Sequence, residues 1–557
     1  MYFIYGRFIS RKIFSINQKA EVPAVTMNDG FDYVPTKKEI IFGHHFTSIA
    51  GTGPIVGPAI AIIWGWVPAV IWVFIGSIFI GAVHDFGVLI ASMRNRGLSI
   101  AEISGIYLNR NTKILFFIIG ILELWIFIAI LGLVMAIIFD MYPGSVVPIW
   151  LEIPIAVWLG YMVYKKGKNY MMLSILAVVV MYVTVIFGNY VPIRITEIAG
   201  IPATGIWTII LLIYAFVASV IPVTTLLQPR DFINSHQLIL AMGLLIVGIL
   251  FTSFKTSFGF VAPAINAAPA DAPHIWPFLF IIIACGAVSG FHAIVSSGTS
   301  SKQVANEKDA LFVGYGGMLT EGLLAVIVIV AVAAGIGLGY QADGELQTGI
   351  TAWNSNYSSW AAASGMSSKI NAFVEGSANM IAFTGIPKTI ALVIMGVFVA
   401  SFAGTSLDTS ARLQRFFLQE LFGKSPKSPF RNKYFSTSVV ILSAAALAFI
   451  TGADGKGALT LWPLFGIINQ VLAALALIVV TIYLRRKGGR KWIIAGIPAI
   501  FMGIVSLWAA VLNQISWNQE HNLLLVVVNG IIILLSIGVI IEGIRFFFMR
   551  NQQPGLN

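Results

Sequence analysis

The fold of this 557-residue chain is decided by residues 40–58, which read IIFGHHFTSIAGTGPIVGP. An apolar run of helical length is interrupted here by Gly-Thr-Gly-Pro at 51–54. Proline lacks the backbone N–H and clashes with the preceding turn, so the helix is predicted to break. Gly51 lies about 16 Å along a helix that begins at Ile40, near the middle of a hydrocarbon core about 30 Å thick. Unwound backbone at that depth is tolerated only where it is buried in protein or lines a cavity.

A second interrupted stretch lies at residues 284–301, which read ACGAVSGFHAIVSSGTSS. It shares with the first stretch glycines near mid-depth, a histidine next to a phenylalanine and a run of small residues. Two interrupted helices that cross in opposite directions are typical of an inverted-repeat transporter. The alternative is a pair of glycine-rich helices that only pack closely within a large bundle.

The composition places both stretches in a membrane protein. Apolar residues make up 58% of the chain, charged residues only 10%, and the mean hydropathy is +0.89. Soluble domains have about 45–50% apolar and about 25% charged residues, so a soluble enzyme, a nucleic-acid binder and a disordered protein are excluded. The net charge of +11 is attributed to cytoplasmic loops, which carry excess Lys and Arg. A single cysteine rules out an intrachain disulfide.

Apolar runs of helical length predict an all-α polytopic membrane protein with about 14 transmembrane helices. The predicted spans are 40–65, 67–93, 114–138, 148–163, 170–189, 205–226, 238–260, 277–299, 311–339, 389–405, 434–452, 460–483, 492–512 and 522–544.

Loop charges orient the predicted spans. With the N-terminus in the cytoplasm, 29 of the 34 Lys and Arg residues fall in inside segments and 4 in outside loops. This bias predicts a multi-pass protein of the cell inner membrane with both termini of the chain in the cytoplasm. The expected organisation is a cytoplasmic N-terminal segment (1–39), a transmembrane core with broken helices 1 and 8 (40–339), an extracytoplasmic lid (340–388), helices 10–14 (389–544) and a cytoplasmic tail (545–557). The alternative for the lid is a plain surface loop.

Ionisable groups within spans are costly and become functional hypotheses. The structural alternatives are a packing role for Glu123, an interfacial pair for His84 and Asp85, and a headgroup location for His44 and His45. The H-E-x-x-H, Cys/His and phosphate-loop spacings are absent from the sequence. We therefore expect neither a metal, nor a cofactor, nor ATP-driven pumping by this chain.

The chain resembles the carbon starvation protein A family of inner-membrane transporters. The resemblance runs from Tyr2 to about Lys487 and rests on long motifs at 29–36, 43–58, 84–87, 284–303, 314–322, 407–415 and 461–470. It implies a carrier for peptides or pyruvate, used when carbon runs short, with a broken-helix, inverted-repeat core of the LeuT/APC type. Family members usually begin with one more helix, of which residues 2–14 look like the tail. Seven spans separate the two broken helices, so either two helices are inserted into a five-plus-five core or the repeat is seven-plus-seven.

We expect a secondary transporter for small carboxylates such as pyruvate, for short peptides, or for both, because half-helix N-termini suit an anionic group. The alternatives are a membrane enzyme that uses the intramembrane histidines and a starvation sensor. The spacing shows no nucleophile–base set for the first, and no loop holds an output domain for the second. No nucleic acid partner is expected, and the oligomeric state is left open.

The predicted substrate residues surround the two breaks, and His292 with at least one of His44 and His45 is expected to face an aqueous cavity. They are His44, His45, Ala50, Gly51, Thr52, Gly53, Gly286, Ser289, Gly290, His292 and Ser296.

The coupling ion is predicted to be H⁺ or Na⁺. Hydroxyls and a carboxylate at the end of span 10, completed by carbonyls around Ile49–Gly51, would suit a hard cation. A proton would instead be carried by a buried carboxyl group. The alternative is that Asp408 caps a cytoplasmic helix or pairs with Arg412 at i+4. The candidate coupling residues are Thr405, Ser406, Asp408, Thr409, Glu321, Glu123 and Asp85.

Overall fold

The computed structural model describes residues 1–255, 259–342 and 344–549, and this part of the chain is nearly all helical. Short helical turns at Tyr2–Gly6, Ile9–Ile13 and Pro23–Thr26 come first. The main helices up to the second break are α1 (Lys38–Ala50), α2 (Gly53–Trp64), α3 (Trp66–Met93), α4 (Ile100–Tyr107), α5 (Arg110–Met141), α6 (Pro143–Lys165), α7 (Tyr170–Tyr190), α8 (Ala203–Val220), α9 (Leu227–Lys255) and α10 (Ile275–Ile282).

The second half begins with the helix after that break and contains one small hairpin. Its elements are α11 (Gly290–Gly298), α12 (Glu307–Leu338), the antiparallel strands β1 (Tyr340–Ala342) and β2 (Glu345–Gln347), α13 (Gly349–Tyr357), α14 (Met366–Ala382), α15 (Lys388–Phe422), α16 (Lys433–Ala448), α17 (Trp462–Arg486), α18 (Ile493–Gln519) and α19 (Leu523–Phe548).

Asparagine starts several of these helices. The side chain of Asn109 accepts a hydrogen bond from the Thr112 N–H, and Asn169, Asn432 and Asn522 cap their helices in the same way. Such a cap satisfies one backbone donor that the first turn leaves without a partner. The apolar runs therefore begin at defined residues.

The number of spans differs from the predicted 14. Within the described residues, 11 helices are long and apolar enough to cross a membrane, and the bent pair α1–α2 makes a possible twelfth. The predicted span 277–299 is divided into α10 and α11, and α16 has only 16 residues. The structure confirms a polytopic helical membrane protein, but the count of 14 is not confirmed.

Predicted inside segments contact one another, and so do predicted outside segments. Among the inside segments, contacts join Arg94 to Glu307, Arg412 to Asp32 and Arg486 to the Tyr107 carbonyl. Among the outside segments and the adjoining end of the first span, contacts join Trp64 to the Pro273 carbonyl, Thr204 to the Asp454 carbonyl and Trp64 to Trp360. The orientation of these segments in the membrane stays a prediction.

The segment 340–388 packs into the bundle. Its helix α14 lies against α2, α9, α12 and α15 and is mostly buried. The Tyr357 hydroxyl donates a hydrogen bond to the Ala59 carbonyl on α2 at 2.5 Å. The segment therefore contacts α2, the second half of the first broken helix. Its assignment as an extracytoplasmic lid stays a prediction.

Two predicted helix boundaries were wrong, and both helices extend through polar residues. The predicted span 238–260 begins earlier, at Leu227, so Arg230 is 2% exposed inside α9 and not in a cytoplasmic loop. The predicted span 389–405 continues to Phe422 as α15. Hydropathy is a local measure and ends a predicted span where polar residues begin. These polar side chains have their partners on other helices, so the helices continue through them.

Candidate functional site

The first span breaks where the sequence predicts. Helix α1 ends at Ala50 and α2 begins at Gly53, with a bend of 43° between them. Gly51 has φ +42°, a conformation that L side chains rarely adopt, and a Cβ there would lie 3.0 Å from the Ser406 Oγ. Glycine is thus required at this position for both backbone and packing reasons.

The second break is an unwound segment held by polar side chains. Gly286 has φ +90°, and its N–H donates to the Glu321 Oε1 at 2.9 Å. The Asn469 Oδ1 accepts hydrogen bonds from the Ser289 hydroxyl at 2.9 Å and from the Phe291 N–H at 3.0 Å. These two side chains from α12 and α17 satisfy backbone groups that the interrupted helix leaves free.

The two breaks are in direct contact. A Cβ added at Gly53 would lie 2.5 Å from both the Cβ and the Sγ of Cys285. A Cβ added at Gly286 would lie 3.6 Å from the Pro54 Cβ. The structure therefore brings together the residues predicted to surround the substrate, although their role as ligands stays a prediction.

His292 lies between two carboxyl groups beside the second break. Its Nδ1 is 3.0 Å from the Asp85 Oδ2, and its Nε2 is 3.2 Å from the Glu321 Oε2. The other Asp85 oxygen bonds the His84 Nδ1 at 2.7 Å. All four side chains are 0% exposed, so His84 and Asp85 lie inside the protein and not at the interface. One imidazole between two acids can take up and release a proton.

His44 and His45 connect α1, the helix that precedes the break, to residues on other elements. The His44 Nδ1 is 2.5 Å from the Asp231 Oδ2, and its Nε2 is 3.2 Å from the Thr299 hydroxyl. The His45 Nδ1 is 2.8 Å from the Ser300 hydroxyl. Both imidazoles are 0% exposed, as is that of His292. The headgroup location is therefore wrong, and the predicted exposure to a cavity is not seen in this conformation, because protein encloses all three rings.

The hydroxyl groups of α15 face the broken helix. The Ser406 hydroxyl donates to the Ser48 carbonyl at 3.0 Å, and the Thr409 Oγ1 is 3.0 Å from the Ser48 Oγ. Thr405 accepts a hydrogen bond from the Asn234 amide at 3.1 Å. Ser406 and Thr409 thus contact Ser48, one residue before the backbone carbonyls at 49–51 that were predicted to complete the cation site. Both residues lie in the middle of the continuous helix α15.

Asp408 bonds other partners than these hydroxyls, and the alternative of a pairing with Arg412 was wrong. The Asp408 Oδ2 accepts hydrogen bonds from Arg230 and, at 2.7 Å, from the Tyr214 hydroxyl. Arg412 donates instead to Asp32 at 2.9 Å. Spacing along one helix had favoured Arg412, but partners on α8 and α9 take its place.

The sequence analysis missed Glu152 and the role of Arg230. Glu152 is 0% exposed on α6, and its Oε1 is 3.3 Å from the Arg230 Nε. A carboxyl group in the middle of the apolar run 146–160 was a usable signal, because such groups are rare in spans.

Two predicted residues lack hydrogen-bond partners among the described residues. Both carboxyl oxygens of Glu123 and the hydroxyl of Ser296 are buried without a partner. The interpretation of Glu123 as a satisfied packing group is therefore wrong. For a metal ion, the residues placed suitably are Cys285, His292 and Glu321, whose ligand atoms lie within 4.8 Å of one another.

Comparison with known proteins agrees with this geometry. The model of the family described as carbon starvation protein CstA matches residues 1–509. The "Peptide transporter CstA" of Helicobacter pylori is 33% identical over 92% of this chain and 80% of its own length. The "Pyruvate/proton symporter BtsT" of Escherichia coli is 32% identical over 93% and 80%. A solved structure of a mutant manganese transporter from Eremococcus coleocola aligns with a TM-score of 0.50 at 11% identity, over 94% of this chain and 99% of that one, and bears on the fold alone.

The family match and the named relatives identify a membrane transporter and not an enzyme, and the fold supplies a broken-helix, inverted-repeat core. The chain belongs to the carbon starvation protein CstA family.

Proposed function

We propose that this transporter takes up small carboxylates such as pyruvate, short peptides through their C-terminal carboxylate, or both, by coupling to a cation gradient. The names of the two relatives, a peptide transporter and a pyruvate/proton symporter, support these substrates. The observation that carries the proposal is the direct contact between the two breaks at Gly53 and Cys285.

The ends of the half-helices suit a carboxylate. Helix α2 begins at Gly53 and α11 begins at Gly290, and the N-terminus of a helix carries a partial positive charge. Cys285 links the two ends, because it abuts Gly53 and its Sγ is 3.5 Å from the Ser289 hydroxyl. An anionic group entering between the breaks would meet both helix ends and small side chains.

The residues around His292 favour a proton as the coupling ion. A carboxylate and a proton together add no net charge to a buried site, whereas an uncompensated buried charge costs several kcal/mol by order of magnitude. The alternative site for Na⁺ at Ser406 and Thr409 lacks the carboxylate that was predicted for it, because Asp408 bonds Arg230 and Tyr214 instead. Hydroxyls and one carbonyl alone are fewer ligands than a hard cation prefers.

The proposed orientation places both termini in the cytoplasm and the protein in the cell inner membrane. The excess of Lys and Arg in the predicted inside segments supports it. The tail at 545–557 is part of this proposal, and its residues 550–557 lie outside the described part of the chain.

Uptake by the purified protein in proteoliposomes tests the proposal. Labelled pyruvate and labelled dipeptides are offered with an imposed pH gradient, and protein-free liposomes serve as the control. We expect saturable uptake of at least one substrate class, and competition between the two classes if they share the site. Absence of saturable uptake of both classes contradicts the proposed function.

A further inference from the structure

A second buried charge cluster lies on the inner side of the first break. Arg230 on α9 donates to Asp408 on α15 and to the Tyr214 hydroxyl on α8, the latter at 2.6 Å. Its Nε is 3.3 Å from the Glu152 Oε1 on α6. The side chains of Glu152, Arg230 and Asp408 are 0–2% exposed. The cluster therefore holds one cation between two carboxyl groups, out of reach of water.

The charges in this cluster do not balance if both carboxyl groups are ionised, because Arg412, the other cation that acts on Asp408, is paired with Asp32. The adjacent Asp231 does not share Arg230, because its Oδ2 bonds His44 at 2.5 Å. The Glu152 Oε2 and the Asp408 Oδ1 are each buried and have no hydrogen-bond partner among the described residues. An unpaired buried carboxylate is costly, so one of the two groups carries a proton.

The contacts indicate which group is protonated. Asp408 receives two donors on one oxygen, from Arg230 and from Tyr214, and charge-assisted hydrogen bonds of this kind stabilise the ionised form. Glu152 has a single, longer contact with Arg230. The titratable groups facing Glu152 are Tyr214 on α8, Arg230 and Asp231 on α9 and Asp408 on α15. The proton therefore resides on Glu152 in this conformation.

The cluster is joined to the broken helix through residues next to its members. Asp231, the neighbour of Arg230, bonds His44 on α1, and Thr409, the neighbour of Asp408, bonds Ser48 on α1. If Glu152 ionises, it competes with Asp408 for Arg230. The contact between α9 and α15 then changes, and both helices lie against α1, the half of the broken helix that precedes the break.

We propose that Glu152 is a proton-binding site of the transport cycle, and that Arg230 is exchanged between Glu152 and Asp408 as the proton binds and leaves. The site adds a proton carrier to the one proposed around His292, and it rests on the proposed function in that the proton is coupled to substrate movement.

Glu152→Gln in proteoliposomes tests the coupling. A gradient of one pH unit corresponds to about 1.4 kcal/mol per coupled proton, or about tenfold in the accumulation ratio. We expect substrate exchange at equal pH to persist in the variant, while its accumulation ratio falls about tenfold for each unit of imposed pH difference. The control is Glu542→Gln on the last helix α19, where the partly exposed Glu542 contacts Arg545 and Asn109, and it should accumulate substrate as the parent does.

Infrared spectroscopy gives a readout that does not need transport. In the difference spectrum of parent minus Glu152→Gln, in which bands from other protonated carboxyl groups such as Glu123 cancel, the parent should show the C=O stretch of one protonated buried carboxyl group that the variant lacks. If Glu152→Gln does not fold, Glu152→Asp should restore both the band and gradient-driven accumulation. Parental accumulation in Glu152→Gln, or the same carboxyl band in parent and variant, overturns the inference. A parent without uptake but with the band overturns the proposed function and leaves the proton on Glu152 established.

Discussion

Adding one methyl group at Gly53 should impair transport by forcing the two breaks apart. In Gly53→Ala the new Cβ would lie 2.5 Å from the Cβ and Sγ of Cys285, closer than non-bonded carbon and sulfur atoms approach each other. Overpacking of this kind costs about 1–3 kcal/mol. If the cost falls on the conformation in which the breaks touch, the population of that state drops about 5- to 150-fold.

The assay is the initial rate of labelled substrate uptake in proteoliposomes, normalised to the amount of folded protein. Gly53→Ala should lower the rate within that range, and Gly53→Leu should abolish uptake while the protein stays folded in the membrane. Gly243→Ala is the matched control, because a Cβ at this helical glycine meets nothing within 4 Å.

A double-mutant cycle isolates the contact between the breaks. Cys285→Gly removes both atoms that the new methyl group would meet. Uptake by Gly53→Ala/Cys285→Gly should therefore exceed the value expected from the two single variants, since residues in contact are not additive. Parental uptake by Gly53→Leu, or additivity of the double variant, refutes the reasoning.

Three further predictions follow from single side chains. His292→Gln removes the imidazole that lies between Asp85 and Glu321, so uptake should lose the pH dependence of the parent between about pH 5 and 8; an unchanged rate and profile would remove this role. Asp408→Asn should abolish gradient-driven accumulation, because the amide cannot hold Arg230 as a charged partner, and parental accumulation would make Asp408 a structural residue. Burial lowers the pKa of Lys369 from 10.5 to about 7. Between these two pH values the unfolded segment binds more protons than the folded one, so its local free energy of unfolding should rise with pH over this range. Hydrogen exchange corrected for intrinsic rates should show this rise in the parent, and its persistence in Lys369→Met would contradict the assignment.

The breaks could be predicted from sequence because their causes are local. Glycine and proline impose their backbone preferences wherever they stand. The observed interruption at residues 51–52 lies within the first predicted stretch, and the one at 283–289 begins one residue before the second. The ends of the polar helices could not be predicted in this way. Helix α9 begins at Leu227 and α15 ends at Phe422, because the charged residues in these extensions have partners in other parts of the chain.

The site residues around His292 were predicted one by one, but their contacts were not. Asp85 and His292 are 207 positions apart, and no spacing rule links them. The Arg230–Asp408 pair spans 178 positions, so the sequence could offer only the local i+4 residue Arg412 as an alternative partner, and that alternative was wrong. Contacts between helices depend on which faces pack together, and that information lies in the fold.

The central claim, that substrate binds between the two breaks, is tested most directly by the reactivity of Cys285. It is the one cysteine in the sequence and lies 4% exposed against Gly53, so a maleimide reports on this position without any substitution. The rate of labelling is measured in membranes with and without saturating pyruvate or dipeptide, and uncharged glycerol serves as the control. The account predicts that a transported substrate slows the labelling of Cys285 and that glycerol does not. Equal labelling rates with and without a substrate that the protein transports would contradict it.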